Sequence, residues 1–414
     1  VLWPASCVLP TVRPMNSTTD RLPPVESTQI LVVGGGPVGL FAALSAARRG
    51  LQVTVLEQSF RSTAPGHATL LHASSLRLAA ELGLSDRLLA EGKVIDGVDI
   101  YVDGTRVKRL DLTRPALTIA QNVFEEVLLK ALRNEDVEIR SPCEATTLTR
   151  SANSAQARVV RREFHTLGAP AHEGEWVPVE SSLIDADFVI GADGYQSRVR
   201  ASLGLDTVDL GATETFAMFE GARPIVESTI DLGFQDGLGS SAFPLPGQRG
   251  RWGFQLASGF SAQPDLEQLR TLLTERAPWH EQEPREVEWS TVTHFERRLA
   301  RRFGSGRVWL AGDAAHITSP FGGQSMNSGL TEAGDLVEHM AACIFEGKSL
   351  ATLEQLAAGR EREWHKLLGF NVQFDAAGSA PAWLRENARR IVPTLPASGS
   401  DLRDLLVQLG LTVH

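Results

Sequence analysis

Hydrophobic positions follow two regimes along the chain. Residues 29–33 (Gln-Ile-Leu-Val-Val) and 52–57 (Gln-Val-Thr-Val-Leu-Glu) are short, nearly continuous apolar runs, the pattern of strands buried on both faces. Between them, residues 40–49 are rich in Ala and Leu and predict a helix that Gly50 stops. Helices are also expected over 74–80, 86–90 and 122–133. Residues 95–112 alternate around Asp103-Gly104, a hairpin signal. Strands are expected over 137–160 and 175–180, separated by a Gly/Pro/His-rich loop at 167–174. A further buried strand, 187–192, ends at Asp193-Gly194. From 213 to 300 the pattern changes to alternation with many aromatic and β-branched residues, interrupted by a helix near 265–275, which predicts a sheet with two unlike faces. Residues 308–311 form a last buried strand, a helix begins near Gly323, and apolar stripes over 332–345 and 353–368 predict two more.

Composition narrows the partners. The 414 residues include 22% charged and 43% hydrophobic side chains, and the net charge is 40 − 50 = −10. No long basic run offsets that charge, which argues against nucleic acid or an anionic membrane as the main partner. No apolar run reaches the roughly 18 to 20 residues of a membrane span. Cys7, Cys143 and Cys343 are far apart and lack metal-ligand spacing, so neither a disulfide framework nor a metal site is expected, and a cytoplasmic location fits. Residues 1–14 lack the pattern of a signal peptide, and Met15 is the expected natural start.

Three strand ends carry the chemistry. Gly34-Gly-Gly36-Pro37-Val-Gly39 joins the first strand to the first helix, and the second strand ends in Glu57-Gln58. This strand, Gly-x-Gly-x-x-Gly, helix, strand, acid order is that of a dinucleotide site. Gly34 permits the tight turn, Gly36 lets pyrophosphate approach the backbone, Gly39 lets helix and sheet pack, and Glu57 accepts from a ribose. Asp193-Gly194 follows a second buried strand, with Ser197, Arg198 and Arg200 on the next short helix. Gly312-Asp313 follows a third, and the loop after it offers an acceptor (Asp313), a stiff apolar ledge (Pro320, Phe321) and a glycine-flanked helix N-terminus (Gly322, Gly323) suited to an anionic ring edge.

The order and separation of these motifs, with Leu310-Ala-Gly-Asp-Ala-Ala-His316, Pro320-Phe-Gly-Gly-Gln324 and Gly191-Ala-Asp-Gly194, resemble the p-hydroxybenzoate hydroxylase family, the class A flavoprotein monooxygenases, over about residues 28–370. The resemblance implies an α/β fold: a Rossmann-like FAD-binding domain with an inserted, mainly antiparallel β-sheet substrate domain and C-terminal helices. The expected segments are a leader or disordered stretch (1–27), FAD-binding parts (28–95, 113–205, 299–370), substrate-side parts (96–112, 206–298) and a C-terminal helical tail (371–414). It implies one FAD held by Gly34, Gly36, Pro37, Gly39, Glu57, Gln58, Gln121, Asp193, Gly194, Arg200, Gly312, Asp313, Pro320, Gly323, Gln324, Met326 and Asn327. NAD(P)H would visit as reductant without a nucleotide fold of its own. His67 stands where many members carry a phosphate-facing Arg and is the one departure, a weaker and pH-dependent partner. The thioredoxin-like C-terminal domain of larger members is not expected.

The implied activity is hydroxylation of an electron-rich aromatic ring (phenol, quinolone or polyketide-like) by O₂ through a C4a-hydroperoxyflavin, in a monomer or homodimer. His72 and His316 are the candidate bases, and Phe219, Trp252, Phe254 and Phe321 the candidate substrate contacts. The alternatives on the same scaffold are a flavin dehydrogenase or reductase, a non-catalytic flavin-binding or redox-sensing protein, and a halogenase. Arg251-Trp252-Gly253-Phe254 does not supply the Trp-x-Trp-x-Ile-Pro stretch a halogenase would carry.

Overall fold

The structure, a computed structural model, describes residues 25–59, 68–166, 174–209, 211, 213–222, 227–257, 263–280, 284–318, 320–367, 374–376 and 380–413. Two sheets organise them. In the first, Val25–Val33 lies between Val53–Leu56 and Gly174–Gly191, and Val308–Leu310 adds beyond the latter, all parallel. Ile30, Leu31 and Val32 are fully buried because both faces of this sheet are covered. Ile30 and Val32 pack toward helix Pro37–Ala47 and helix Gln324–Glu346. Leu31 and Val33 point the other way, toward the antiparallel strands Cys143–Arg150 and Ala155–Thr166. The continuous apolar run is therefore two alternating sets feeding two cores.

The second sheet runs Trp289–Phe295, Glu214–Ala222, Arg249–Leu256, Leu238–Leu245, Thr229–Gln235, Lys93–Val102, Thr105–Ala120, Ala68–Leu71. All its pairings are antiparallel except Thr229–Gln235 with Lys93–Val102. The expected hairpin extends past residue 112 to Ala120. Buried Leu117 and Ile119 lie in that extension, which pairs with Ala68–Leu71, so residues 68–71 and 113–120 join the second sheet.

One face of this sheet (Ala217, Phe219, Ala242, Trp252, Phe254) packs on helix Leu266–Arg276 through Leu269, Leu272 and Leu273. The other face carries Phe216 and Met218 against Phe321. The segment expected as a C-terminal helical tail forms helices Ala382–Ile391 and Gly399–Leu409, which pack into the core. Leu384, Ile391, Leu405 and Leu406 pack against Ile95, Val98, Ile100, Leu110 and Ile230. Among the described residues, no helix is long and apolar enough to cross a membrane.

Candidate active site

Two cavities are lined by residues of the three strand ends. The first is walled by Gly34, Gly36, Glu57, Gln58, Cys143, Glu144, Asp193, Gly194 and Arg198. Gly34 adopts φ +110, and a Cβ there would stand 2.2 Å from the Ala192 carbonyl oxygen. A Cβ on Gly39 would lie 2.0 Å from the Gly34 carbonyl oxygen. Both positions are thus closed to any side chain. A Cβ on Gly36 would meet nothing within 4 Å, so the backbone there opens onto the cavity. Pro37 begins the helix, where its missing N–H costs nothing. The Glu57 carboxylate accepts from the Gly35 N–H and the Ser59 N–H, both at 2.7 Å, which ties the acid to the glycine turn.

Asp193 works inside the protein. It accepts from the Ser197 hydroxyl (2.5 Å) and the Arg198 and Val199 N–H groups, capping helix Arg198–Ser202. Burial holds its carboxyl above the ordinary value despite those donors. Arg200 donates to the carbonyl oxygens of Ala314 and Tyr195, each at 2.8 Å, and so ties this helix to the Gly312–Ala314 turn. Burial pulls its pKa down.

The second cavity, of about 230 Å³, lies between the two sheets. One wall is the segment after the third strand: Asp313, Ile317, Thr318, Pro320, Phe321, Gly323, Gln324, Ser325 and Met326. The other is the second sheet, through Met218, Phe243, Leu245, Arg251 and Phe295, with Thr69, Leu70, Thr118 and Gln121 at the side. Asp313 is exposed and accepts from the Ser325 hydroxyl. Gln121 donates to Glu125 at 3.0 Å. Phe321 fits where Gly239 and Gly253 leave room: a Cβ on Gly253 would come within 2.7 Å of its ring. It meets Phe216 edge-on at 4.9 Å.

The loop carrying Phe321 is held from behind. Asn327 is fully buried. Its Oδ1 accepts from the His72 N–H (2.7 Å) and the Ser75 hydroxyl (2.6 Å), and its Nδ2 donates to the carbonyls of Leu70 (2.6 Å) and Gly323 (2.7 Å). That uses all four bonds of the amide, so its side chain has none left for a ligand. Gln324 Nε2 donates to the Leu395 and Ala397 carbonyls at 2.8 and 2.9 Å. Thr69 donates to the Met326 sulfur at 3.3 Å. Gly312 takes φ +63, and its N–H donates to Glu332.

Neither candidate base lines either cavity. His72 is buried at the start of helix Ala73–Glu81. Its Nε2–H donates to the Gly322 carbonyl (2.7 Å) and Nδ1 faces the Ser398 hydroxyl (3.4 Å). Burial lowers its pKa to about 4, the bond to Gly322 opposing. His316 lies buried between Glu332 (2.8 Å) and Trp364, on whose ring it stacks at 3.8 Å. Burial pushes Glu332 up, but His316, the Trp364 N–H and the Gly312 N–H outweigh it and leave its pKa lowered. Each imidazole braces an element beside the cavity.

Phe219, Trp252 and Phe254 face away from the cavity. In an antiparallel pair, opposed residues share a face, and Phe219 opposes Trp252 while Ala217 opposes Phe254. Their face packs on helix Leu266–Arg276, and Trp252 Nε1–H donates to His280 (3.1 Å). The cavity takes the alternate set, Met218 and Arg251 among them, which reading by aromatic content passed over. Counting by two from Gly253, the glycine opposite Phe321, would have found Arg251. His67 lies outside the described residues.

A family model described as "FAD binding domain" matches residues 27–368. The 6-methylpretetramide 4-monooxygenase of Streptomyces rimosus is 27% identical over 357 residues; the match covers 82% of this chain, which spans only 60% of that protein. The 6-hydroxy-3-succinoylpyridine 3-monooxygenase of Pseudomonas putida is 28% identical over 380 residues, 82% of this chain and 86% of that one. The p-nitrophenol 4-monooxygenase structure from Pseudomonas putida DLL-E4 superposes with a TM-score of 0.70 at 21% identity, over 93% of this chain and 94% of that one, a likeness of fold. The open backbone at Gly36 and the acid at Glu57 in the first cavity, with the exposed Asp313 in the second, fit an extended dinucleotide such as FAD.

Proposed function

The chain belongs to the FAD-binding-domain family, and from that premise we propose that it is an FAD- and NAD(P)H-dependent monooxygenase that hydroxylates an electron-rich aromatic ring. A phenol, quinolone or polyketide-like compound is the substrate class. The observation that carries the reading is the second cavity, walled on one side by the Gly312–Met326 segment and on the other by the inner face of an antiparallel sheet. A redox ring on the first wall would confront an aromatic ring on the second.

In this reading Gly34, Gly36 and Gly39 admit the pyrophosphate, Glu57 accepts from the adenosine ribose, and Asp313 from the ribityl chain. Pro320 to Met326 and Gln121 border the flavin ring. Bound there, FAD would supply the redox chemistry, two-electron reduction by the nicotinamide and activation of O₂, with one oxygen atom going to the substrate and the other to water. The protein supplies orientation and a dry pocket. Met218, Phe243, Leu245 and Phe321 give the substrate an apolar bed, and the bonds of Asn327, Gln324 and His72 fix the loop that faces it. The test is anaerobic reduction of the purified protein by each nicotinamide against a panel of phenols and quinolones. A panel member that accelerates flavin bleaching supports the reading; bleaching at one rate throughout the panel opposes it.

A further inference from the structure

The second cavity mixes apolar and uncharged polar side chains, its sheet wall being apolar apart from Arg251, and among its described lining residues only two are charged, Asp313 and Arg251. They stand on opposite walls. Asp313 lies on the segment read above as bordering the flavin. Arg251 lies on the substrate-side sheet, in the strand Arg249–Leu256, on the same face as Met218 and Phe243. Its cross-strand neighbour Glu220, 3.8 Å away and nearly buried, steadies the guanidinium from within the sheet. Glu220 also faces Arg249 at 3.6 Å, and Arg249 is closer to Glu288, at 2.5 Å. Beyond Phe321, in the next cavity, Arg297 pairs with Glu214 at 2.8 Å. No carboxylate other than Asp313 and no imidazole lines the substrate cavity among the described residues.

A cation placed in an apolar wall costs desolvation energy that a stability role alone does not require. Burial pulls the Arg251 pKa below the ordinary arginine value, Glu220 opposing, yet a guanidinium stays charged in proteins. Its five N–H donors can hold Glu220 and a ligand oxygen together.

Resting on the monooxygenase reading, we propose that Arg251 is a specificity-determining residue that takes the substrate as its phenolate, seating the ring-borne anionic oxygen against its guanidinium. The O–H bond breaks in solution, the electron pair stays on oxygen and the proton passes to bulk water, so no general base is needed in the cavity. The bound ring is then in its more electron-rich form, as oxygen transfer requires.

The test uses p-nitrophenol, whose absorbance distinguishes phenol from phenolate, with the FAD-loaded full chain under anaerobic conditions and no reductant. The pH at which the bound probe ionises is read for wild type, Arg251→Lys and Arg251→Met. Wild type should bind the phenolate about 10-fold or more tighter than the neutral phenol, a charge-assisted bond's worth, so the bound probe ionises at lower pH than the free one. Arg251→Lys should keep part of that preference, and Arg251→Met should lose it. Should the stranded Glu220 prevent Arg251→Met from folding, Glu220→Gln with Arg251→Met gives the same reading. An unshifted ionisation in wild type, an unchanged shift in the Met variants, or no binding of p-nitrophenol would overturn the proposal. Displacement of the probe by an equal concentration of benzoate would overturn the phenolate in favour of a carboxylate. Phenolate binding intact, with no oxygenated product from any aromatic, would sink the monooxygenase reading and leave the anion site standing.

Discussion

Replacing His72 by Gln should change how stability depends on pH. The ring is fully buried, and its Nε2–H holds the Gly322 carbonyl at the root of the loop that carries Phe321. In the unfolded chain it titrates near 6.5, while burial lowers the folded value to about 4. Above 6.5 the ring is neutral in both states and contributes no pH dependence. Between 6.5 and 4 the unfolded chain holds a proton that the native chain lacks, so native stability is lost as pH falls. Across that window the loss is about 3 kcal/mol. Glutamine does not titrate and retains a donor for Gly322, so it removes this term while costing about 1 to 3 kcal/mol at neutral pH in lost bonding and packing. The assay is urea unfolding of both proteins at a series of pH values, the other titrating groups being common to both. The wild-type advantage should shrink by about 3 kcal/mol toward acid. A constant difference at every pH would refute the neutral, buried imidazole.

Other substitutions test the remaining supports. Asn327→Ala removes four bonds at once and strands the buried His72 N–H, so it should cost about 3 to 5 kcal/mol, with weaker flavin retention on gel filtration. Gly39→Ala places a Cβ 2.0 Å from the Gly34 carbonyl and should abolish flavin binding; a yellow, stable variant would show that the turn can open. Trp252→Phe loses the bond to His280 on the far face of the sheet and should lower stability by about 1 kcal/mol without moving the substrate KM, whereas Phe243→Ala on the cavity face should raise it. The reverse pattern in steady-state kinetics would mean the faces are assigned wrongly.

Much of the scaffold was legible because its signals are local. A buried strand, a glycine turn and a helix within one short stretch leave the chain few alternatives, and the structure forms them at Val25–Val33, Pro37–Ala47 and Val53–Leu56. What escaped depends on long-range pairing. Which face of Arg249–Leu256 meets the cavity is fixed by the partner strands and by where Phe321 lands, and aromatic content pointed to the wrong one. The role of residues 395–398 is equally hidden. Their contribution is two backbone carbonyls and a hydroxyl, which reach Gln324 and His72 only after the C-terminal helices have packed on the second sheet. Asn327 sits in a motif expected to flank the flavin, yet its partners Leu70, His72 and Ser75 come from a distant stretch, so spacing alone could not show that its amide is fully engaged.

Oxygen transfer in this cavity would leave an atom of dioxygen on an aromatic ring. The direct measurement is turnover of a substrate from the phenol and quinolone panel under isotopically heavy dioxygen, with NAD(P)H consumption followed alongside product mass. Oxygen transfer requires one heavy oxygen atom in the product and one nicotinamide oxidised per product formed. Substrate-accelerated nicotinamide oxidation that yields only hydrogen peroxide, with the aromatic recovered unchanged from every member of the panel, would contradict it.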